Sequence, residues 1–275
     1  MTDIKLGGLD VVQPKTITRR MALLLWGSSG CGKTTLAATA PGTKLWISFD
    51  SDATACLGPR GDIIEVKLYD QPDRIVEKFK EENGPFFRDL DKMLGENKDI
   101  ETVVIDSCTS FRDKAMIHGV KVAQGTAKGK HSTLEDPGYA GYGNLNTWTR
   151  MLVKHALVVT AKHDCHLVVV AHEDKPTTDD SGNVLFTSIM LGSSLNQQLP
   201  VNITETWHMQ DTGRERRIQI RPSRGFKPMK SRMFYTTDSV EFVWKYDDDT
   251  KEGEGIATWY NQWKEAGFAK IHPPK

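Results

Sequence analysis

Residues 27–34 read Gly-Ser-Ser-Gly-Cys-Gly-Lys-Thr. The apolar run Met21–Trp26 precedes this octapeptide, and the small-residue stretch Thr35–Ala40 follows it up to a Pro-Gly pair. The octapeptide fits the pattern G-x-x-x-x-G-K-[ST], in which glycines let consecutive backbone N–H groups point into one concavity at the start of a helix. The strand–loop–helix context therefore predicts a phosphate-binding loop within an α/β fold.

The loop predicts a site for a nucleoside triphosphate, with ATP and Mg²⁺ as the expected ligands. In such loops the lysine, here Lys33, reaches the β- and γ-phosphates, and the hydroxyl of Thr34 ligates Mg²⁺. Asp106 ends the apolar run Val103–Ile105 and is the expected carboxylate of the metal site. The residues predicted to hold the nucleotide are Gly27, Ser28, Ser29, Gly30, Cys31, Gly32, Lys33, Thr34 and Thr35.

Length and composition are those of a globular protein. At 275 residues the chain fits one large α/β domain or a core with a small appendage. Lys+Arg and Asp+Glu both total 36, so the net charge does not point to a nucleic acid or an acidic membrane. The four cysteines lack the spacing of a disulfide framework. The N-terminus is polar, and the run before the loop is too short to span a bilayer. The predicted location is the cytoplasm, with no membrane partner.

Apolar runs alternate with helical patterns along the core, as a mostly parallel sheet flanked by helices requires. Further along, the pattern changes to C-terminal β-hairpins, with turns at Asp180–Asn183 and Asp211–Gly213, and ends in a short helical tail. Residues 119–143, rich in Gly and Lys, are predicted to be the least regular part of the core. A core over 1–235 with a packed extension over 236–275 is expected. The predicted strands and helices are, in order, Lys44–Phe49, 62–69, Asp73–Lys80, Phe86–Leu94, Thr102–Asp106, a helix through Leu145–Val159, Leu167–Ala171, Ile203–Gln210, Arg217–Arg221 and Ile256–Ala266.

A catalytic base is missing from its most common position. Many P-loop ATPases carry a glutamate directly after the metal aspartate, but here Ser107 follows and cannot act as a base. Asp50 and Asp52 end the second strand, at the edge of the sheet where ligands bind. Asp52 is the first choice and Asp50 the second, with solvation of a strand end or helix capping as the alternative role. His172, at the end of the fourth strand, is either a sensor of the nucleotide state or a structural histidine.

This combination of motifs resembles the RecA-like P-loop ATPases and, within them, phage nucleotide-binding proteins of the AAA-domain type, including single-strand annealing ATPases. The resemblance implies that Asp52 stands where these enzymes place their catalytic acid, and that Lys230 and Arg232 reach the nucleotide of a neighbouring subunit. The alternative role of this pair, with Arg224 and Lys227 nearby, is a solvated basic strand. Where RecA recombinases carry a glutamine, this chain has His172, which favours the phage group. The segments that carry the resemblance are Gly27–Thr34, Phe49–Asp52, Val103–Ser107, Val168–His172 and Lys230–Arg232, within roughly residues 20–235.

The resemblance also implies partners. It predicts self-association into a ring or filament, single-stranded DNA as a ligand, and a phage single-strand binding protein as a further partner, in the host cytoplasm. RecA-like proteins bind DNA through segments that correspond to 119–143 and 173–190. Basic grooves interleaved with aromatic rings hold single strands without reading sequence. The candidate DNA-binding residues are Arg214, Arg216, Arg217, Arg221, Arg224, Lys227, Lys230 and Arg232 in one stretch, and Lys121, Lys128, Lys130, His131, Tyr139 and Tyr142 in another.

Three functions fit these observations. The first is an oligomeric, Mg²⁺-dependent ATPase that acts on single-stranded DNA in phage recombination or replication. The second is a nucleotide or small-molecule kinase, which would need an arginine-bearing lid that residues 119–143 do not supply. The third is a nucleotide-gated assembly switch with slow hydrolysis and no DNA.

Overall fold

The computed structural model of the chain describes residues 5–6, 9–10, 20–68, 85–223, 225–226, 228–237 and 239–274. The helix predicted over Asp73–Lys80 lies outside these ranges, and so do Arg224 and Lys227 of the basic stretch. Within them, no helix combines the length and the hydropathy needed to cross a bilayer.

The described ranges alternate strands and helices much as the hydrophobic pattern predicts. The strands are β1 Lys5–Leu6, β2 Leu9–Asp10, β3 Ala22–Gly27, β4 Thr43–Ser48, β5 Ile63–Lys67, β6 Ile100–Asp106, β7 His166–His172, β8 Thr177–Thr178, β9 Val184–Phe186, β10 Glu205–Asp211, β11 Arg216–Gln219 and β12 Glu241–Trp244. The α-helices are α1 Lys33–Ala38, α2 Pro85–Glu96, α3 Cys108–Gln124, α4 Gly138–Lys162, α5 Ser193–Asn202 and α6 Ile256–Glu265.

One large sheet organises the molecule. Within the described residues its eight strands follow the order β12-β11-β10-β3-β7-β6-β4-β5. The strands from β10 to β5 are parallel, and β11 and β12 add an antiparallel edge. This mostly parallel sheet, with helices on it and antiparallel strands towards the C-terminus, confirms the predicted fold class. The parallel strands all end at the same side of the sheet, which we call the carboxyl edge.

Helices cover both faces of the sheet, which explains why β3 is apolar along its whole length. Successive side chains of a strand point to opposite faces. Leu23 and Leu25 contact the layer that contains α1 and α6. Leu24 and Trp26 contact the layer that contains α2, α3 and α4. All four side chains are fully buried, so β3 and the loop that follows it are anchored in the middle of the core.

The segment 119–143 is more regular than predicted. Helix α3 continues to Gln124 and α4 begins at Gly138, so only the connection between them is irregular. The glycines allow close packing of these helices instead of breaking them. A Cβ on Gly119 would lie 3.2 Å from the carbonyl oxygen of Gly141 on the facing helix.

The C-terminal residues pack on the same core. Strand β12 pairs with β11 at the edge of the large sheet. Helix α6 buries Trp259 completely, and its first turn is tied to the end of α1, since Thr39 Oγ1 accepts a hydrogen bond from Ile256 N at 2.9 Å. The boundary between residues 235 and 236 stays a prediction.

Candidate nucleotide site

The phosphate loop connects β3 to α1 at the carboxyl edge, and its glycines are required by geometry. Gly30 and Gly32 have φ values of 78° and 97°, in the left-handed region that favours glycine. At Gly27 a Cβ would lie 2.1 Å from the carbonyl oxygen of Met209 on β10. The sequence therefore forms this tight loop only with glycine at these positions.

The side chain of Lys33 is held at the base of the loop. It is 5% exposed, and its Nζ donates to the carbonyl oxygens of Gly27 at 3.0 Å and Ser28 at 2.6 Å. Cys31 lies buried beside it, and burial raises the pKa of the Cys31 thiol. A buried ammonium group next to a cradle of N–H groups is suited to an anionic ligand.

Two oxygen donors meet next to the loop, as the sequence predicts. Thr34 Oγ1 donates to Asp106 Oδ2 at 3.0 Å, at the end of β6. Burial, together with the negative charge of Asp50, raises the pKa of Asp106 to about 7, although the hydrogen bond from Thr34 and the charge of Lys33 act in the opposite direction. A hydroxyl and a carboxylate fit Mg²⁺, which prefers a few protein oxygens alongside water and phosphate. When bound there, Mg²⁺ would neutralise phosphate charge.

The two candidate bases lie in different places relative to the cavity. Asp50 lines the cavity at the loop, and Ser110 Oγ in the first turn of α3 donates to its carboxylate. Ser107 caps that helix, accepting a hydrogen bond from Ser110 N at 3.1 Å. Asp52 is exposed and does not line the cavity. The chain turns there with a left-handed φ of 56°, so the position relative to the strand does not fix the direction of the side chain.

His172 ends β7 and lines the same cavity. Its backbone N–H donates to Thr109 Oγ1 at 2.9 Å, which fixes the strand end against α3. Burial lowers the pKa of His172, and the positive charge of Lys33 lowers it further. The imidazole is therefore neutral near pH 7. The next residue, Glu173, bonds through its N–H to the carbonyl of Gly27 at 3.0 Å, so the phosphate loop and the segment after β7 are directly connected.

The cavity has a volume of about 560 Å³, within the range usual for small-molecule sites. Ser29, Gly30, Gly32 and Thr35 of the predicted set are part of its lining. Sequence reasoning missed several other lining residues, since they come from distant parts of the chain. These are Ala53, Cys56, Val170, Arg216 and Asp248.

Lys230 and Arg232 lie away from the cavity. Lys230 pairs with Thr206 near the start of β10, and neither Lys230 nor Arg232 lines the cavity. Along β10, Thr206 stands opposite Leu24 and Met209 opposite Gly27, so the strand partner of Lys230 is about 10 Å from the phosphate loop along the strand.

A buried carboxylate fixes the backbone of this segment. Glu205 is 1% exposed and accepts hydrogen bonds from Ser231 Oγ at 2.6 Å, Arg232 N at 2.7 Å and Met233 N at 3.0 Å. Burial raises the pKa of Glu205, while these hydrogen bonds act in the opposite direction. The side chains on either side of Ser231 are therefore carried on a well-defined turn.

The basic stretch does not form one continuous surface. Arg216 forms a bidentate pair with Asp248 at the cavity. Arg217 pairs with Glu215 and Glu241. The exposed cations of the α3–α4 connection include Lys128 and Lys130, and Tyr139, in the first turn of α4, is 97% exposed.

Comparison with known proteins identifies the family of the chain. The model of an AAA domain family matches residues 19–242, which is most of the chain. The chain belongs to this family of P-loop ATPases. Among curated protein sequences none matches. The crystal structure of the RadB recombinase is similar with a TM-score of 0.43 and 12% identity, over 83% of this chain and 88% of that chain. A TM-score in this range supports no functional argument.

Proposed function

We propose that the chain is a magnesium-dependent ATPase that acts on single-stranded DNA as an oligomer, in a phage recombination or replication system. The observation that carries the ATPase assignment is the single cavity that combines Lys33, the Thr34–Asp106 pair and Asp50. The phage setting is supported by the sequence resemblance.

Each of these residues has a distinct role in the proposed hydrolysis. Lys33 exchanges its carbonyl partners for phosphate oxygens, and the N–H groups of the loop orient the phosphate chain. Thr34 and Asp106 hold the metal. Asp50, fixed by Ser110, polarises the attacking water as the general base.

His172 connects the site to the next segment. A neutral imidazole at the cavity can form a hydrogen bond with the terminal phosphate. The next residue, Glu173, forms an antiparallel bridge with Ile189, and the β8–β9 hairpin lies between these two residues. Loss of the terminal phosphate would therefore be transmitted to residues 173–190.

We assign Lys230 and Arg232 to the neighbouring subunit's nucleotide. Neither side chain lines the cavity of its own subunit, which supports a role in trans, and Glu205 fixes the backbone of their turn through hydrogen bonds. A cation supplied in trans is worth roughly 10³–10⁵ in rate for related enzymes. Mixing Arg232→Ala with Asp50→Asn subunits should therefore restore turnover, since a mixed interface can join an intact cation to an intact site. Absence of recovery in fully assembled mixtures would contradict the assignment.

The DNA site is proposed at the tip of the α3–α4 pair. With 25 residues α4 is about 37 Å long, whereas the seven residues of β7 span about 23 Å, so α4 extends past the carboxyl edge. This tip carries exposed lysines and tyrosines, as single-strand binding requires. The double variant Lys128→Ala/Lys130→Ala should lose stimulation by DNA, with Lys154→Ala, at an exposed lysine within α4, as the control.

The decisive experiment measures phosphate release and particle mass together, with and without ATP and a short single strand. Assembly with DNA-stimulated turnover that falls steeply with salt supports the proposal. Nucleotide-dependent assembly without turnover would support an assembly switch instead. Transfer of phosphate to an added nucleoside monophosphate would support a kinase.

A further inference from the structure

A second cation besides Lys33 faces the nucleotide cavity. Arg216 is the first residue of β11, and its side chain lies directly on the phosphate loop. A Cβ on Gly32 would be 3.1 Å from Arg216 Nε and 3.0 Å from the terminal methyl of Met209. The guanidinium stem therefore occupies space that the glycine leaves open, immediately beside the loop N–H groups.

Two contacts fix the guanidinium in this place. Asp248 accepts both ends of the fork, with Arg216 Nη1 at 3.0 Å from Asp248 Oδ1. The ring of Trp244, opposite Arg216 in the β11–β12 register, has its centroid 5.5 Å from Arg216 Cζ. Asp248 is presented by a turn that Asp247 closes, accepting hydrogen bonds from the backbone N–H groups of the two residues after Asp248.

Lys33 and Arg216, two cations that face the cavity, thus both donate hydrogen bonds to oxygen atoms of the protein itself. Lys33 bonds to two carbonyl oxygens, and Arg216 bonds to a carboxylate. A guanidinium fork matches carboxylate and phosphate in the same bidentate geometry. The side chain of Asp248 is 46% exposed, so it can rotate into solvent when an anion takes its place.

We propose that Arg216 binds the phosphate chain of the nucleotide in its own subunit, and that Asp248 is a positioning residue that holds the guanidinium until phosphate displaces it. This inference rests on the proposed nucleotide site. Arg216, on the antiparallel edge strand β11, would thus bind phosphate, and Asp248, in the turn after β12, would compete with phosphate for the guanidinium.

Calorimetric titration with a non-hydrolysable ATP analogue and with inorganic tripolyphosphate, both with Mg²⁺, tests the proposal. Arg216→Ala should weaken both ligands about tenfold, because a charge-assisted contact is lost. Arg216→Lys should recover part of the affinity, since it keeps the charge but not the fork. Asp248→Asn should tighten both ligands about threefold, and only while Arg216 is present.

Arg217→Ala is the matched control, because Arg217 is the next residue on β11 and pairs with Glu215 and Glu241 outside the cavity. Equal affinities for Arg216→Ala and Arg217→Ala would overturn the proposal. Weaker binding of the ATP analogue with unchanged tripolyphosphate binding would assign Arg216 to the base or sugar and overturn the phosphate contact. If Asp248→Asn also tightened ligand binding in the Arg216→Ala background, Asp248 would not compete with phosphate for Arg216, and that part of the proposal would be overturned. Failure of the unaltered protein to bind either ligand would instead refute the nucleotide site itself.

Discussion

Replacement of Asp50 by asparagine should abolish ATP hydrolysis while ATP binding persists. Asparagine keeps an oxygen that can accept the hydrogen bond from Ser110, so the local packing is preserved. It removes the carboxylate that we assign to the attacking water. The matched control is Asp52→Asn, which changes an exposed carboxylate outside the cavity and only two residues away.

The expected loss of rate in Asp50→Asn follows from the role of Asp50 as the general base. A positioned general base contributes about 10²–10⁴ in rate, or about 3–5 kcal/mol of activation free energy. Metal binding should not account for the loss. The negative charge of Asp50 is one of the causes that raise the pKa of Asp106, so its removal favours the ionised form of Asp106. Affinity for Mg²⁺ should change little in Asp50→Asn, because the easier ionisation of Asp106 offsets the loss of one nearby negative charge.

Single-turnover phosphate release at saturating ATP and Mg²⁺ measures the chemical step, and calorimetry on the same samples measures binding. Asp50→Asn should be slower by at least a hundredfold with binding intact, and Asp52→Asn should stay within about twofold of the unaltered protein. A large loss in Asp52→Asn with normal rates in Asp50→Asn would refute the reasoning and return the base to Asp52. Normal rates in both variants would mean that another group activates the water.

Further predictions concern groups that the sequence alone does not single out. Glu205→Gln should lower the free energy of unfolding by about 2–4 kcal/mol in urea denaturation, because its amide N–H₂ would face the buried Nε1–H of Trp207, whereas Glu215→Gln, at a partly exposed carboxylate, should change it by less than about 0.5 kcal/mol. Burial lowers the pKa of His166 from 6.5 to about 4, so its contribution to stability is complete above pH 6.5 and is lost as the pH falls towards 4. At pH 5 the loss should be about 2 kcal/mol, and His166→Asn should flatten this part of the pH profile; an unchanged profile would contradict the assignment.

The parts of the site that follow from local sequence were predictable. The phosphate loop needs glycines at fixed spacing, and Asp106 is placed by the apolar run before it. Most of the predicted strands appear within a few residues of their expected bounds, since buried parallel strands leave a clear apolar signature. The order of strands across the sheet, with β10 beside β3, is a non-local property that the pattern did not give.

Two kinds of feature escaped prediction. The direction of a side chain just beyond a strand depends on the turn: Asp52, with its left-handed backbone, does not line the cavity, whereas Asp50 and Ala53 on either side of it do. Contacts between distant segments leave no local signal. Arg216 belongs to a basic stretch that suggested DNA, yet the turn at Asp248 folds over the site and pairs with it. Similarly, Gly119 marks a close helix crossing and not a break.

The central claim is that Lys33 and the phosphate loop bind the polyphosphate of a nucleotide together with Mg²⁺. Its most direct test is calorimetric titration of ATP into the unaltered protein and into Lys33→Ala at millimolar Mg²⁺, with circular dichroism to verify that both are folded. The account predicts saturable binding at one site per chain that Lys33→Ala loses. Equal binding by the two proteins, or no binding by the unaltered protein, would contradict it.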